Sequence, residues 1–155
     1  MKTLIAFHSR SGYTRRVAET LAGDCNAVVD EICALRERTG VVGYLCCALE
    51  ARGGRAPAIM PARRDPREHE LVIVGTPIWA WSLSSPVRSY LREHGGELQR
   101  VAFFCTMGGA GAENAFSEMR DLCGKAPVAT LALTDRQIDA RSHEPALVAF
   151  VKALG

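Results

Sequence analysis

Short runs of consecutive apolar residues alternate along this chain with stretches in which apolar residues recur every three or four positions. The runs are typical of strands buried on both faces, and the spaced positions are typical of helices that cover such strands. The predicted strands lie at residues 3–7, 26–30, 71–74, 101–104 and 127–133. Helical spacing occurs at residues 17–22, 41–51, 86–91, 115–122 and 145–154. This alternation predicts an α/β fold in three layers, with a doubly wound, five-stranded parallel sheet and right-handed crossovers.

The length and composition of the chain favour one domain spanning residues 1–155. The chain is 48% hydrophobic, which allows a sizeable core. No apolar run reaches the roughly 18 residues of a membrane span. Strand-like residues begin directly after Met1, unlike a signal peptide. We therefore expect a soluble, cytoplasmic protein.

The segment after the first predicted strand is rich in hydroxyl groups: Ser9-Arg10-Ser11-Gly12-Tyr13-Thr14, here called loop 1. It joins a strand to the first turn of a helix, where unpaired amides and the helix dipole favour an anion. Three hydroxyls can donate to phosphate oxygens, and Gly12 permits close approach of the backbone. Neither the Walker nor the dinucleotide-binding pattern is present. Loop 1 is therefore interpreted as a site for a terminal phosphate; the alternative is that Ser11 or Thr14 merely caps the helix.

Two later segments also follow predicted strands. Loop 2 comes after Gly75 and is Thr76-Pro77-Ile78-Trp79-Ala80-Trp81, and loop 3 is Thr106-Met107-Gly108-Gly109-Ala110-Gly111. Loop 1 resembles the FMN-phosphate loop of the flavodoxin family, Ser/Thr-x-Ser/Thr-Gly-x-Thr, and loops 2 and 3 match that family in the same order. The resemblance spans most of the chain. It implies a flavodoxin-like, FMN-binding protein of the short-chain type, with the strand order 2-1-3-4-5.

This strand order brings the three loops together, because ligands of doubly wound sheets bind where the order reverses, beyond the carboxyl ends of the strands. Loop 1 would hold the phosphate of FMN. Trp79 and Trp81 lie two positions apart, so in an extended backbone both indoles would point the same way, and at least one could pack against the flavin ring. The alternative is that both tryptophans serve only packing. The sequence does not say which indole would stack.

Loop 3 has three glycines within four residues, which removes side chains from the path of a planar ligand. The resemblance implies that Thr106, Met107, Gly108 and Gly109 contact the pyrimidine end of the flavin. The alternative is a flexible glycine turn, with Glu113 facing the dipole of the next helix.

The histidines and cysteines of the chain give little indication of a catalytic group. His8 ends the first strand beside loop 1 and could tune the ligand electrostatically, although an indirect or solvent-facing role is the stronger expectation. The other three histidines are expected to face solvent. The six cysteines lack the Cys-x-x-Cys spacing of a zinc or dithiol site and are read as reduced, mostly buried thiols. A redox role for adjacent Cys46 and Cys47 is the alternative.

Charge is distributed unevenly along the chain. Nineteen basic and seventeen acidic residues give a net charge of +2, too mild to indicate nucleic-acid binding. Within residues 36–67, seven arginines face three acids, so this basic segment has a net charge of +4. The basic segment is either a solvated loop or a surface for an anionic partner or substrate.

Three functions fit an FMN-binding protein of this kind. The favoured one is an FMN-dependent oxidoreductase that uses NADH or NADPH as electron donor and reduces a small acceptor such as a quinone. The second is a flavodoxin-type one-electron carrier between protein partners, but such carriers are generally strongly acidic and this chain is not. The third is a non-catalytic flavin-binding module. The expected partners are thus a small-molecule acceptor or a redox protein, with no nucleic acid and no membrane span, and a homodimer is left open.

Overall fold

The architecture is taken from a computed structural model that describes residues 1–36 and 40–155, apart from the side chains of Tyr44 and Ala51. The strands are β1 (Thr3–Phe7), β2 (Val28–Glu31), β3 (Leu71–Trp79), β4 (Ser82–Leu83), β5 (Arg100–Met107) and β6 (Thr130–Thr134). The α-helices are α1 (Tyr13–Cys25), α2 (Gly40–Arg52), α3 (Ser85–His94), α4 (Ala112–Cys123), α5 (Asp135–Asp139) and α6 (Glu144–Ala153). Two short 3-10 helices cover Pro66–Glu68 and Gly95–Glu97.

The sheet has the predicted order. Its strands run β2-β1-β3-β5-β6, all parallel, which is the order 2-1-3-4-5 once β4 is set aside. The expected fold class is therefore confirmed, with one correction: the sheet has six strands rather than five. β4 is a two-residue strand that pairs antiparallel with the end of β3. It is too short to produce a periodic pattern in the sequence.

Helices cover both faces of the sheet. Successive residues of each strand point to opposite faces, so each strand contributes side chains to both layers of the core. On one face, Leu4 of β1 belongs to a core cluster that includes side chains from α3 and α4. On the other face, Ile5 belongs to a cluster with side chains from α1 and α6. This arrangement accounts for the continuous apolar runs of the central strands.

Helix α2 follows its predicted range closely, but its apolar side does not face the core. Val41, Val42, Leu45 and Leu49 are 54–77% exposed, whereas Gly43 and Cys47 are buried. The spacing identified a helix correctly. It did not identify the face that packs on the protein, which is formed by small residues.

The basic segment is held to the domain by polar contacts of its backbone. Asp30 accepts hydrogen bonds at Oδ2 from the amides of Arg63 and Arg64, at 2.8 and 3.0 Å. Arg88, which is 1% exposed, donates to the carbonyl of Arg55 at 2.9 Å and forms a salt bridge with Glu118. Residues 37–39 of the segment lie outside the described residues. In the part of the chain that is described, no helix is long and apolar enough to cross a bilayer.

Candidate functional site

Loop 1 forms an open backbone turn at the start of α1. Gly12 is the N-cap of the helix, with φ +97°, and a Cβ there would meet nothing within 4 Å. Gly12 has no side chain that could cap the helix. Instead, Ser9 Oγ accepts hydrogen bonds from the amides of Gly12 and Arg15, at 3.2 and 3.3 Å. Ser9 therefore takes the capping role that the alternative interpretation gave to Ser11 or Thr14, and its own hydroxyl proton is not used in either bond.

The other side chains of loop 1 point in different directions. Ser11 is exposed beside Gly12. Arg10 donates to the sulfur of Cys47 and to the carbonyl of Gly40, both at 3.1 Å. Tyr13 donates its phenolic hydrogen to Asp139 at 2.7 Å, and this bond is the largest cause of a raised pKa for Tyr13. Loop 1 thus presents a small hydroxyl and open backbone to solvent while its larger side chains fix the neighbouring elements.

Loop 2 begins with buried residues that support the turn. Thr76 is fully buried; its Oγ1 accepts from the amide of Ser84 at 3.0 Å and lies 2.8 Å from the carbonyl oxygen of Pro77. These contacts fix the end of β3 against the start of α3. Pro77 and Ile78 are half-buried and continue β3. Thr76 therefore shapes loop 2 through protein contacts.

The two tryptophans of loop 2 do not point the same way, in contrast to the expectation from an extended backbone. Trp79 pairs with Ser82 across a hairpin whose two turn residues, Ala80 and Trp81, have φ of +48° and +62°. Positive φ at both positions is the geometry of a type I′ turn. As a result, Trp79 is 5% exposed and Trp81 is 63% exposed. Trp81 is available to a ligand at the surface, and Trp79 lines the interior.

Contacts between the three loops place them side by side at the carboxyl edge of the sheet. The hydroxyls of Thr14 and Thr106, which are 1% and 3% exposed, hydrogen bond at 2.8 Å and join loop 1 to loop 3. Gly111, with φ +113°, lies so close to loop 2 that a Cβ would be 2.8 Å from Ile78 Cγ2 and from Trp81 Cα. A side chain at this glycine would separate loops 2 and 3.

The remaining residues of loop 3 are open to solvent. Gly108 and Gly109 are exposed, and a Cβ at either position would meet nothing within 4 Å. Met107 is half-buried. The backbone at these two glycines is therefore accessible to a flat ligand edge, as a contact with a flavin would require.

His8 lies behind loop 1 as a neutral side chain. Burial lowers its pKa from 6.5, although its hydrogen bond to the carbonyl of Ile32, 2.7 Å from Nδ1, acts in the opposite direction. A neutral ring with Nδ1–H donating to this carbonyl leaves Nε2 unprotonated. The ring meets Trp79 edge-on, with centroids 5.4 Å apart. Among the other histidines, His69 is buried at 3% exposure, so its expected solvent position is wrong; its Nδ1 lies 3.0 Å from the carbonyl oxygen of Asp65.

A cavity of about 510 Å³ opens beside loop 1, on the side of β2, α2 and the start of α3. Ser9, Arg10 and Trp79 are the members of the three loops that line it, and no residue of loop 3 does. Its walls also include the side chains of Cys33 and Cys47. Residues 1–36 and 40–155 contain no group of three side chains that could hold a metal ion.

Sequence reasoning missed several residues that shape the loops. Asn114 donates from Nδ2 to the carbonyl of Trp81 at 3.0 Å, which holds loop 2 against the first turn of α4. Ser84 bonds to Thr76, as described above. Asp139 holds Tyr13 from 126 positions away. No short-range signal marks Asn114 or Asp139, because their partners lie 33 and 126 positions away in the sequence.

Comparison with solved structures identifies proteins of the same fold. No protein-family model matches the sequence, and no curated protein matches it either. Among solved structures, a flavoprotein from Lactobacillus acidophilus NCFM in complex with FMN is similar at a TM-score of 0.72 and 21% identity, over 91% of this chain and 98% of that one. The two-electron reduced flavodoxin of Megasphaera elsdenii is similar at a TM-score of 0.58 and 15% identity, over 99% of each chain. An NADH:FMN oxidoreductase in its apo form gives 0.57 and 13%, over 99% of this chain and 90% of that one.

These similarities show that the chain has a flavodoxin-like fold, as the resemblance of its three loops implied.

Proposed function

We propose that the chain binds FMN with loops 1, 2 and 3 and acts as an FMN-dependent oxidoreductase. The observation that carries the proposal is the meeting of all three loops at one edge of the sheet, joined by the Thr14–Thr106 hydrogen bond and by the contact of Gly111 with loop 2. Each loop offers what a different part of FMN needs. The structural similarity to a flavoprotein in complex with FMN supports the same assignment.

Loop 1 would hold the phosphate. At the start of α1 the amides of Gly12 and Arg15 donate to Ser9 Oγ, so those of Tyr13 and Thr14 would face the phosphate, and the dipole of this 13-residue helix favours a negative charge there. Ser11 and the hydroxyl proton of Ser9 can donate to phosphate oxygens. The open space at Gly12 leaves room for a phosphate next to the backbone.

Loops 2 and 3 would hold the flavin ring. Exposed Trp81 offers an aromatic face, and the backbone at Gly108 and Gly109 offers amide and carbonyl groups to the polar edge of the ring. Buried Trp79 would support loop 2 from behind. FMN supplies the redox chemistry when bound, by accepting electrons from a donor and delivering them to an acceptor.

The choice of an oxidoreductase with NADH or NADPH as donor rests on charge and on one structural neighbour. The net charge of +2 does not suit the acidic docking face of a carrier. An NADH:FMN oxidoreductase is among the similar structures. The acceptor of the oxidoreductase would be a small molecule such as a quinone, whereas a redox partner protein would be the acceptor of the alternative function, a one-electron carrier. A homodimer is compatible with both functions.

One experiment separates the three functions. The purified chain is titrated with FMN, followed by visible absorbance, and the complex then receives NADH or NADPH without oxygen. Shifted flavin bands that bleach within the mixing time or shortly after would support the oxidoreductase. Shifted bands that stay oxidised until photoreduction, and then pass electrons to a protein acceptor, would favour the carrier. Shifted bands with neither reaction would indicate a non-catalytic module.

A further inference from the structure

The turn that ends loop 2 has a backbone conformation that its residues do not favour. Ala80 and Trp81 have φ of +48° and +62°, and each carries a Cβ. In this left-handed region the Cβ lies too close to the following carbonyl oxygen, so turns of this type usually contain asparagine or glycine. Two such residues in succession persist only where the surrounding structure holds them. The turn therefore depends on contacts with other parts of the chain.

The hairpin around this turn is too short to supply all of that support. Its second strand, β4, has two residues, and it pairs with β3 only through Ile78–Leu83 and Trp79–Ser82. A two-stranded hairpin is marginally stable at best when nothing else packs on it. Leu83 is fully buried and anchors the far side of the hairpin, whereas Trp81 at the turn is 63% exposed. Burial therefore fixes the base of the hairpin and leaves its tip to other contacts.

The start of α4 holds the tip of the hairpin at two points. Asn114 donates from Nδ2 to the carbonyl of Trp81 at 3.0 Å. A Cβ at Gly111 would lie 2.8 Å from Trp81 Cα, so the two backbones are in direct contact there. Both contacts reach the same residue whose φ is +62°. Because Ala115 and Met119 fix α4 in the core, the turn is attached to a rigid element.

We propose that Asn114 is a positioning residue for flavin binding. Its hydrogen bond keeps Trp81 in the left-handed conformation and so holds the indole at the surface beside loop 3 before a ligand arrives. Such preorganisation reduces the entropy lost on binding. The inference rests on the proposed function, because the flavin ring is the ligand that this indole would face. The effect should reach the ring and not the phosphate, since loop 1 is joined to loop 3 at Thr106, at the opposite end of loop 3 from Gly111.

Titrations of the full chain with FMN and with riboflavin, followed by flavin fluorescence, test this proposal. Asn114→Ala should weaken the binding of each ligand by about threefold, the usual effect of losing one hydrogen bond. Because the loss concerns the shared ring, the ratio of the two affinities should stay as in the wild type. Ser117→Ala, at an exposed position one turn further along α4, is the matched control and should change neither affinity. A loss confined to FMN, or unchanged affinities for both ligands, would overturn the proposal.

Two combined variants test whether Asn114 acts through Trp81. In a Trp81→Ala background, Asn114→Ala should cause no further loss of flavin affinity, because no indole remains to be positioned. In the second combination, Ala80→Gly introduces a residue that adopts positive φ without steric cost, so it should recover at least half of the affinity lost in Asn114→Ala. The full loss in the Trp81→Ala background, or no recovery with glycine, would show that Asn114 acts by another route and would contradict the proposal.

Hydrogen exchange in the protein without flavin separates this inference from the proposed function. Asn114→Ala should speed exchange at the amides of Ser82 and Leu83 by about threefold or more, because the hairpin opens more often, while the amides of β5 keep their wild-type rates. Ser117→Ala should leave all of these rates unchanged. Faster exchange in Asn114→Ala, in a protein that binds no flavin, would refute the proposed function and leave the positioning of Trp81 standing. Unchanged exchange in Asn114→Ala would overturn the positioning role itself.

Discussion

The hydrogen bond between Thr14 and Thr106 is the most direct structural link between loops 1 and 3, and its loss should be measurable. Both side chains are almost fully buried, and their hydroxyl oxygens are 2.8 Å apart. Thr14→Val keeps the shape but leaves the hydroxyl of Thr106 buried without this partner. Such an unsatisfied group costs about 1–3 kcal/mol of unfolding free energy. Thr106→Val should cost a similar amount for the same reason.

The double variant tests whether this energy belongs to the pair. When both hydroxyls are removed, no polar group is stranded, so the double variant should lose clearly less than the sum of the two single losses. Urea unfolding followed by circular dichroism gives the three free energies. Thr20→Val is the matched control on α1, because Thr20 is exposed, and it should change stability by less than about 0.5 kcal/mol. Single variants as stable as the control, or strictly additive losses, would refute the role assigned to the bond.

Three further predictions concern single side chains. Gly75→Ala should lower stability by about 1–3 kcal/mol or more, since a Cβ would lie 2.1 Å from the Phe104 ring; thermal unfolding measures the loss. Because burial lowers the pKa of His8, the unfolded chain takes up a proton below pH 6.5 that the folded chain excludes, so stability is present above this pH and falls as the pH drops below it. Urea midpoints between pH 5 and 8 should show this loss in the wild type and a weaker one in His8→Gln; parallel curves would contradict it. Trp79→Ala should cost about 3–5 kcal/mol of unfolding free energy in the apo protein, and Trp81→Ala at most about 0.5, because only Trp79 is buried; similar losses would refute the assignment.

The layers and strand order could be predicted because they depend on local patterns. Continuous apolar runs such as residues 71–74 identify strands buried on both faces, and helical spacing identifies the covering layers. The positions of the three loops follow from that order. The resemblance of the three loops to one family then indicated the fold, without information on contacts between residues.

The details that the sequence did not reveal depend on contacts between distant residues. The turn at Ala80 and Trp81 has no glycine or asparagine to mark its positive φ, so an extended backbone was the natural expectation. His69 is buried in the structure although polar residues surround it in the sequence. Thr14 and Thr106 are 92 positions apart, and no periodicity indicates that they pair.

Helix α2 shows a different limit. Its apolar spacing predicted a helix, and a helix is present, but Val41 and Leu49 face solvent while Cys47 packs against Trp79. Periodicity reports that one side of a helix is apolar; it does not report which side the rest of the fold covers. For the same reason, the cavity between α2 and loop 1 could not be anticipated from the sequence.

A paired titration with FMN and riboflavin tests most directly whether loop 1 holds a phosphate. The two ligands share the flavin ring, and only FMN carries the phosphate. We predict that FMN binds at least about tenfold more tightly, as expected for charge-assisted hydrogen bonds. Ser11→Ala should reduce this difference, whereas Ser117→Ala, at an exposed position on α4, should leave it unchanged. Equal affinities for the two ligands would contradict the assignment of loop 1 as the phosphate site, and no binding of either would contradict the assignment of all three loops as an FMN site.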